Sequence, residues 1–221
     1  MIRMNSRTAA VAAAIAVLPA VSACGINTIP TKEEAAKAKW ADVQSQYQRR
    51  ADLIPNLVAT VQGAAIAERT TLTDVIEARA RATSINVTPE TLSNPAAFQQ
   101  YQAAQGQLTQ ALSRLLLTVE AYPQIQSNAN FIALQSQLEG TENRISVARI
   151  DYNEAVRSYN TSLRTFPTVI WASTIHGGSK PMSLFQAAPG SDQAPTVNFD
   201  GLSPQAAPSP GSAPGAAPAA Q

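Results

Sequence analysis

The side chains best suited to acid–base or metal chemistry are one histidine, His176, and two pairs of carboxylates, Glu139 with Glu142 and Asp151 with Glu154. Residues three apart share one face of a helix, so each pair could hold a metal ion or could keep that face solvated. Di-metal helical bundles combine Glu with Glu-x-x-His, and no histidine follows these glutamates at that spacing. The spacing favours a solvated face, with an all-carboxylate metal site as the alternative. We expect His176 to be an exposed loop residue, because a catalytic role would need a nucleophile or a carboxylate beside it.

The chain lacks the short motifs of the common enzyme classes. It has one cysteine and one histidine, which excludes a Cys/His zinc site, because such sites need three or four ligands. It has no Gly-rich phosphate loop, no GxSxG and no HExxH. We therefore predict a protein that is not an enzyme and that has no catalytic residue, no metal ligand and no cofactor.

Cys24 is the residue for which the sequence predicts a definite modification. Arg3 and Arg7 precede an apolar stretch, TAAVAAAIAVLPAV. The last residue of this stretch begins the sequence Val-Ser-Ala-Cys, which reaches Cys24. A basic start, a short apolar run and small residues before a cleavage site are typical of a secretory signal peptide. Val-Ser-Ala-Cys resembles the bacterial lipobox, which implies that residues 1–23 are removed and that Cys24 carries a diacylglycerol thioether. The alternative is an uncleaved signal anchor.

The resulting prediction is a lipoprotein on the extracytoplasmic face of the bacterial cell membrane. Two or three acyl chains hold a protein at a bilayer where a single chain would not, since each buried methylene contributes about 0.8 kcal/mol. Cys24 would therefore anchor the chain without a membrane-spanning helix.

The charge balance excludes two classes of partner. The whole chain has 16 basic and 15 acidic residues, and removal of Arg3 and Arg7 would leave a net charge of −1. A nucleic-acid binder should show a basic face, and electrostatic adhesion to a membrane needs basic clusters. We predict no nucleic-acid partner.

Helical periodicity begins after a predicted tether, residues 24–31. Thr31-Lys32-Glu33-Glu34 is a capping-box pattern that predicts the start of the first helix. Pro55 either kinks this helix or marks a reversal of the chain, and the sequence leaves both possibilities open. The predicted inward positions recur every three or four residues. They are Ala36, Trp40, Val43, Tyr47, Ile54, Leu57, Val61, Ala64, Ala65, Leu72, Val75 and Ile76.

The second half of the chain predicts two more helices. Asn94-Pro95 is a cap followed by proline in the first turn, and Pro123 ends the helix that it opens. The last helix is predicted over residues 128–165, with a seven-residue repeat that is typical of a long bundle seam. Its members are Phe131, Leu138, Ile145, Tyr152, Tyr159 and Phe166. We predict an all-α, elongated antiparallel four-helix bundle over residues 32–185, with an extended or disordered Pro/Ala-rich tail over residues 186–221.

Three stretches of this chain resemble the LemA family. They are RRADLIPNLV from Arg49, LSRLLLTVEAYPQIQ from Leu112 and the long run from Asn130 to Pro167. A later stretch, Phe185 to Phe199, resembles the C-terminal segment of the family. The resemblance implies a four-helix bundle that is anchored to a membrane by its N-terminus, and it supplies no catalytic residue. The lipobox and the Pro/Ala tail depart from the pattern of the many relatives that have a transmembrane segment.

Two functional hypotheses remain open from the sequence. The first is a membrane-tethered, non-enzymatic scaffold or adaptor that binds unknown envelope proteins. The second is a carrier of a lipid or other apolar molecule in the bundle seam, which would need a cavity beside Leu138, Ile145 and Tyr152. The seam aromatics could serve self-association as well as the core. The candidate partner surface consists of four arginines of the last helix, Arg144, Arg149, Arg157 and Arg164.

Overall fold

The computed structural model describes residues 25–63, 69–85 and 87–187. The predicted signal peptide (residues 1–23), Cys24, Ala64, Ala65 and residues 188–221 of the predicted tail lie outside these ranges. The helices, numbered in chain order, are α1 (Thr28–Gly63), α2 (Arg69–Ser84), α3 (Pro89–Leu92), α4 (Pro95–Glu120), α5 (Pro123–Gln126), α6 (Ala129–Ser162) and α7 (Thr168–Thr174). The predicted all-α fold is confirmed.

The four long helices α1, α2, α4 and α6 form an antiparallel bundle. The directions of α1 and α6 follow from two ion pairs: Lys39 Nζ lies 2.9 Å from Asp151 Oδ2, and Arg50 Nη1 lies 2.8 Å from Glu142 Oε1. Residue numbers rise along α1 as they fall along α6, so the two helices run in opposite directions. The 34 residues of α6 correspond to a helix about 50 Å long.

The predicted seven-residue seam of α6 is confirmed along the length of that helix. Phe131, Leu138, Ile145, Tyr152 and Tyr159 are all buried. The sixth predicted member, Phe166, is 81% exposed. It was predicted wrongly because α6 ends at Ser162 and Phe166 lies in the turn before α7, where the helical repeat no longer applies.

The first helix begins earlier than the capping-box pattern predicts. It starts at Thr28, and the backbone N–H of Thr31 already donates to the carbonyl of Asn27. Ile29 is fully buried in the core. Burial of this side chain favours continuing the helix through the segment that the sequence predicts as tether.

Pro55 lies within α1 and neither ends it nor reverses the chain. A proline inside a helix leaves the carbonyl four residues earlier without its usual donor. That carbonyl belongs to Ala51, and the Nε of Arg79 in α2 donates to it at 2.7 Å. The chain reverses after Gly63, where α1 ends. The first helix therefore continues through Pro55, and a side chain from the neighbouring helix supplies the missing hydrogen-bond donor.

We expect Arg79→Ala to lower the free energy of unfolding by about 1–2 kcal/mol, because it leaves the carbonyl of buried Ala51 without a donor. Arg81→Ala is the matched control on the same helix. Arg81 is exposed and has only a 3.8 Å ion pair with exposed Glu77. Urea unfolding of the purified full chain in detergent measures both. Equal losses for the two variants would contradict the role of Arg79 beside Pro55.

The bundle core has two apolar halves. One half contains Trp40, Phe98, Tyr101, Tyr152 and Phe185, whose rings pack together with centroid distances of 4.9–6.2 Å. The other half is mostly aliphatic and is formed by the C-terminal half of α1, by α2 and α4, and by the N-terminal half of α6. Aromatic pairs at these distances contribute beyond their buried area.

Burial raises the pKa of four tyrosine hydroxyls in this bundle, those of Tyr47, Tyr101, Tyr152 and Tyr159. A raised pKa means that the folded state holds the proton more tightly than the unfolded state does. The resulting stabilisation is present below the unfolded-state pKa of about 10 and is lost as the pH rises through the folded-state pKa. We therefore expect the free energy of unfolding to fall above about pH 10.

Urea unfolding between pH 8 and pH 12 measures this loss. Tyr47→Phe removes one of the ionising groups and is expected to lose less stability than the parent over that range. Hydrogen bonds to Glu34 and Glu33 also raise the pKa of Lys37, which adds a loss of the same sign in both proteins. Superimposable pH profiles for the parent and Tyr47→Phe would contradict the contribution of Tyr47.

Candidate functional site

An extended segment, residues 179–185, follows α7 and runs back along α6; we call it the strap. Two Tyr-Asn pairs of α6, one heptad apart, hold it. The hydroxyl of Tyr152 donates to the carbonyl of Ser183 at 3.0 Å, and that of Tyr159 donates to the carbonyl of Lys180 at 3.2 Å. These bonds supply the partners that buried tyrosine hydroxyls need.

The two asparagines of these pairs bind the strap as a neighbouring strand would. Asn153 accepts from the N–H of Phe185 at 2.9 Å and donates to its carbonyl at 3.1 Å. Asn160 does the same with Met182, at 2.9 Å in each direction. Each asparagine thus satisfies both backbone groups of one strap residue, and the register of the strap on α6 is fixed at two points.

Phe185 places the end of the strap in the aromatic half of the core. Its ring packs on Phe98 with centroids 4.9 Å apart and on Tyr152 at 5.6 Å. The guanidinium of Arg149 lies 4.6 Å from the centroid of the Phe185 ring, within the range of a cation–π interaction. The N–H of Ser183 donates to the carbonyl of Leu92 in α3. The strap therefore closes the bundle where α2 does not reach.

Arg50 forms a polar layer between the two halves of the core. Its side chain is only 1% exposed. Its guanidinium donates to Gln105 Oε1, to Thr109 Oγ1 at 2.9 Å and to Glu142 Oε1 at 2.8 Å. It also lies 4.9 Å from the centroid of the Tyr47 ring. One side chain thus connects α1, α4 and α6.

A polar cleft of about 820 Å³ lies at the end of the bundle where α1 begins. Its lining includes Glu33, Lys37, Tyr159, His176 and Lys180. The imidazole Nε2 of His176 lies 2.9 Å from the carbonyl oxygen of Ile26, which requires the proton on Nε2 in this contact. His176 is half-buried and connects the chain after α7 to the chain just before α1. The sequence predicts an exposed loop residue, so this contact is a correction to that prediction.

The groups in this cleft are poorly placed for acid–base catalysis. The raised pKa of Lys37 keeps its ammonium group charged near neutral pH, so it cannot accept a proton there. His176 uses its Nε2 in the contact with Ile26. Across the residues that the structure describes, there is no group of three or more His, Cys, Asp or Glu side chains that could hold a metal ion.

The structure separates the two carboxylate pairs that the sequence singles out. Glu142 bonds to Arg50 and Asp151 bonds to Lys39, whereas Glu139 and Glu154 are exposed. One member of each pair therefore serves an interhelical ion pair. This division favours the structural interpretation over a metal site in the described part of the chain.

The four arginines of the predicted partner surface fall into different environments. Arg149 lies over the ring of Phe185, and Arg144, Arg157 and Arg164 are exposed. Arg144 and Arg157 lie on different lines of the α6 surface, and Arg164 lies in the turn after α6 ends at Ser162. Cys24, the predicted lipidation site, lies outside the described residues.

The seam residues that an apolar carrier would use are packed. Leu138, Ile145 and Tyr152 are each at most 4% exposed. Neither the polar cleft nor a second cleft of about 220 Å³ between Gln44 and Leu108 is lined by them. The described clefts therefore give the carrier hypothesis no support.

The sequence analysis did not predict two features of this region, the strap and the Arg50 layer. The repeat Tyr-Asn at Tyr152 and again at Tyr159 was a usable signal, because asparagine beside a buried tyrosine at heptad spacing needs a partner. Arg50 offered a weaker signal. It falls between the inward positions Tyr47 and Ile54 of a helical stripe, but a sequence does not show whether such an arginine has partners.

Comparison with known protein families matches most of the chain to one family. Residues 39–199, which are 161 of the 221 residues, match the profile of the LemA family. The chain belongs to the LemA family. The strap and the Tyr-Asn pairs that hold it lie inside the LemA region. None of the helices in the described ranges is both long and apolar enough to cross a bilayer.

Three magnetosome proteins are similar to this LemA-family chain. It is 28% identical over 182 residues to magnetosome proteins MamQ 2 and MamQ 1 of Paramagnetospirillum magneticum. It is 25% identical to magnetosome protein MamQ of Magnetospirillum gryphiswaldense. The aligned regions cover 75% of this chain and 66% of each relative, so the chain spans just under two thirds of their length.

Proposed function

We propose that this LemA-family protein is a non-enzymatic scaffold or adaptor of the bacterial cell envelope. A lipid on Cys24 tethers it to the extracytoplasmic face of the membrane, and its bundle binds another envelope protein. Membership of the family and the absence of a built catalytic group in the polar cleft support this proposal. The relatives are named for a cellular assembly, the magnetosome, and not for a reaction.

The observation that carries the proposal is an exposed apolar pair on the outward face of α6. Val147 is 52% exposed and Ile150 is 63% exposed. Arg157 follows Ile150 by seven residues, so the two lie in one line along the helix. An apolar pair continued by an arginine matches a partner segment with apolar and acidic side chains. The ion pair between Lys39 and Asp151 helps to hold this part of α6 on α1.

In-cell photo-crosslinking of the full chain tests the adaptor role. A photoreactive amino acid is placed at Ile150 or at Arg157, and the captured peptides are read by mass spectrometry. Leu117 on α4 is the control position, because it is also 63% exposed. We expect the same heterologous envelope protein at positions 150 and 157 and its absence at position 117.

Other outcomes would contradict the proposal in different ways. Capture of this chain alone would indicate a homo-oligomer. Identical products at all three positions would indicate non-specific contact. Native mass spectrometry of the purified protein that shows a bound lipid beyond the anchor would favour a carrier.

Metabolic labelling tests the tether separately. Cells expressing the full chain are given an alkyne fatty acid, and the label on the protein is compared with that on Cys24→Ser. Cys24 is the only cysteine in the chain, so a thioether-linked lipid has one possible position. We expect the label in the parent and its loss in the variant. An unlabelled parent would contradict lipidation.

A further inference from the structure

Three apolar side chains at the start of α7 and in the turn before it are exposed, and we call them the α7 patch. They are Phe166 (81% exposed), Val169 (36%) and Ile170 (46%). Exposed apolar groups that cluster in this way mark a surface that contacts another phase or molecule.

The packing of α7 explains why it presents this patch. Thr168 is buried, and Trp171 and Ala172 pack against the aromatic half of the core. Val169 and Ile170 therefore lie on the opposite side of this short helix. The hydroxyl of Thr168 donates to the carbonyl of Ser162 at 2.6 Å, which ties the start of α7 to the end of α6. The patch is held in place by the bundle.

The chain enters the bundle beside α7. A Cβ placed on Gly25 would lie 3.1 Å from Nε1 of Trp171, so the backbone of residue 25 lies against this helix. The bond between His176 and the carbonyl of Ile26 ties the chain after α7 to the same entry point. Cys24 directly precedes Gly25, and it follows the apolar stretch of residues 8–21 after Ser22 and Ala23. If the chain is attached to the membrane at or before Cys24, by lipid or by the apolar stretch, the attachment directly precedes the segment that contacts α7.

The charges around the patch suit a lipid surface. Residues 165–179 contain no Asp, Glu, Lys or Arg. Between Glu154 and Asp192 the charged residues are Arg157, Arg164 and Lys180, all of them basic. A membrane surface with anionic headgroups would therefore meet no acidic side chain from this segment. Large exposed apolar residues on a short helix favour the membrane interface.

From these observations we infer that the α7 patch lies in the interfacial region of the bilayer that anchors the chain. It is a second membrane contact, made by the folded bundle itself, and it sets how the bundle stands on the membrane. The inference rests on membrane attachment at residue 24. It does not depend on a protein partner, because it uses the end of the bundle and not the outward face of α6.

Fluorescence quenching in vesicles tests the contact. The full chain is reconstituted in vesicles of phosphatidylethanolamine and phosphatidylglycerol, with Phe166→Cys or Ile170→Cys labelled by an environment-sensitive fluorophore. Leu117→Cys, 63% exposed near the far end of α4, is the control. Parent protein carried through the same labelling gives the background from Cys24.

We expect doxyl-labelled lipids to quench the labels at positions 166 and 170. We also expect these labels to be shielded from iodide, with rates of iodide quenching roughly threefold below that at position 117, as for groups at the membrane interface. Equal iodide quenching at the three positions would overturn the inference. Shielding from iodide without quenching by doxyl lipids would also overturn it, because it would indicate a protein contact on the patch.

A substitution experiment separates the patch from the anchor. The double variant Phe166→Ser/Ile170→Ser keeps residues 1–25 and should stay in the membrane fraction. We expect it to lose cross-links from a photoactivatable phospholipid to residues 165–175, whereas Leu117→Ser keeps them. Retention of these cross-links in the double variant would contradict the role of the patch. Circular dichroism at 222 nm checks that each variant is folded.

Discussion

Arg50→Ala is expected to lower the free energy of unfolding by about 3 kcal/mol, because it removes a buried guanidinium that three side chains share. Gln105 lies in the core and would lose its charged donor. Glu142 is 37% exposed and can be hydrated by water, which places the loss at the lower end of the range for a broken buried ion pair. Urea unfolding of the full chain in detergent, followed at 222 nm, measures the loss.

Two further variants make the result specific. Arg49→Ala changes the neighbouring arginine, which is exposed, and should alter the free energy of unfolding by no more than about 0.5 kcal/mol. Arg50→Met keeps most of the side-chain volume and removes the charge, so it should cost less than Arg50→Ala. A loss for Arg50→Ala as small as that for Arg49→Ala would show that the polar layer contributes little to stability.

Phe185→Ala is expected to cost about 3 kcal/mol and to release the strap, because its ring fills a place among Trp40, Phe98 and Tyr152. Loss of the ring also removes the cation–π partner of Arg149. Urea unfolding measures the stability of the variant. Hydrogen exchange measures the strap directly, since the N–H groups of Met182 and Phe185 are held by asparagine side chains.

Phe166→Ala is the matched control, because it removes the same ring from a position that is 81% exposed. It should leave both the free energy of unfolding in detergent and the exchange of the strap unchanged within about 0.5 kcal/mol. If Phe185→Ala lowers stability without faster exchange at residues 182 and 185, the strap is held by the asparagines alone. If neither quantity changes, the strap is not part of the folded core.

The repeating apolar positions were predictable because they follow from helix geometry alone. The seam residues Phe131 to Tyr159 are buried as their seven-residue spacing predicts. The same rule failed at Ile76, which is 49% exposed, and at Phe166. Ile76 directly follows buried Val75. Adjacent residues of a helix point about 100° apart, and the buried face of α2 includes only Val75. Periodicity gives the face of a helix and says little about where the helix ends.

The contacts that complete the bundle were not predictable, because they join segments far apart in the chain. Asn153 and Phe185 are 32 residues apart, and Arg50 and Glu142 are 92 residues apart. Arg79 in α2 supplies the hydrogen-bond donor that α1 lacks at Pro55. No local sequence pattern in α2 predicts this contact. Each of these polar side chains would fit a solvated surface equally well. Their partners become visible only when the helices are placed side by side.

The buried arginine also determines which alignment of α1 and α6 is stable. A seam with a seven-residue repeat can slip by one heptad and still bring apolar layers together. In the antiparallel pair, such a slip would replace Glu142 opposite Arg50 with Gln135 or with Arg149. The first leaves a buried guanidinium without a carboxylate, and the second places a like charge against it. Arg50 therefore distinguishes the native alignment from slipped alignments that the apolar residues alone would tolerate.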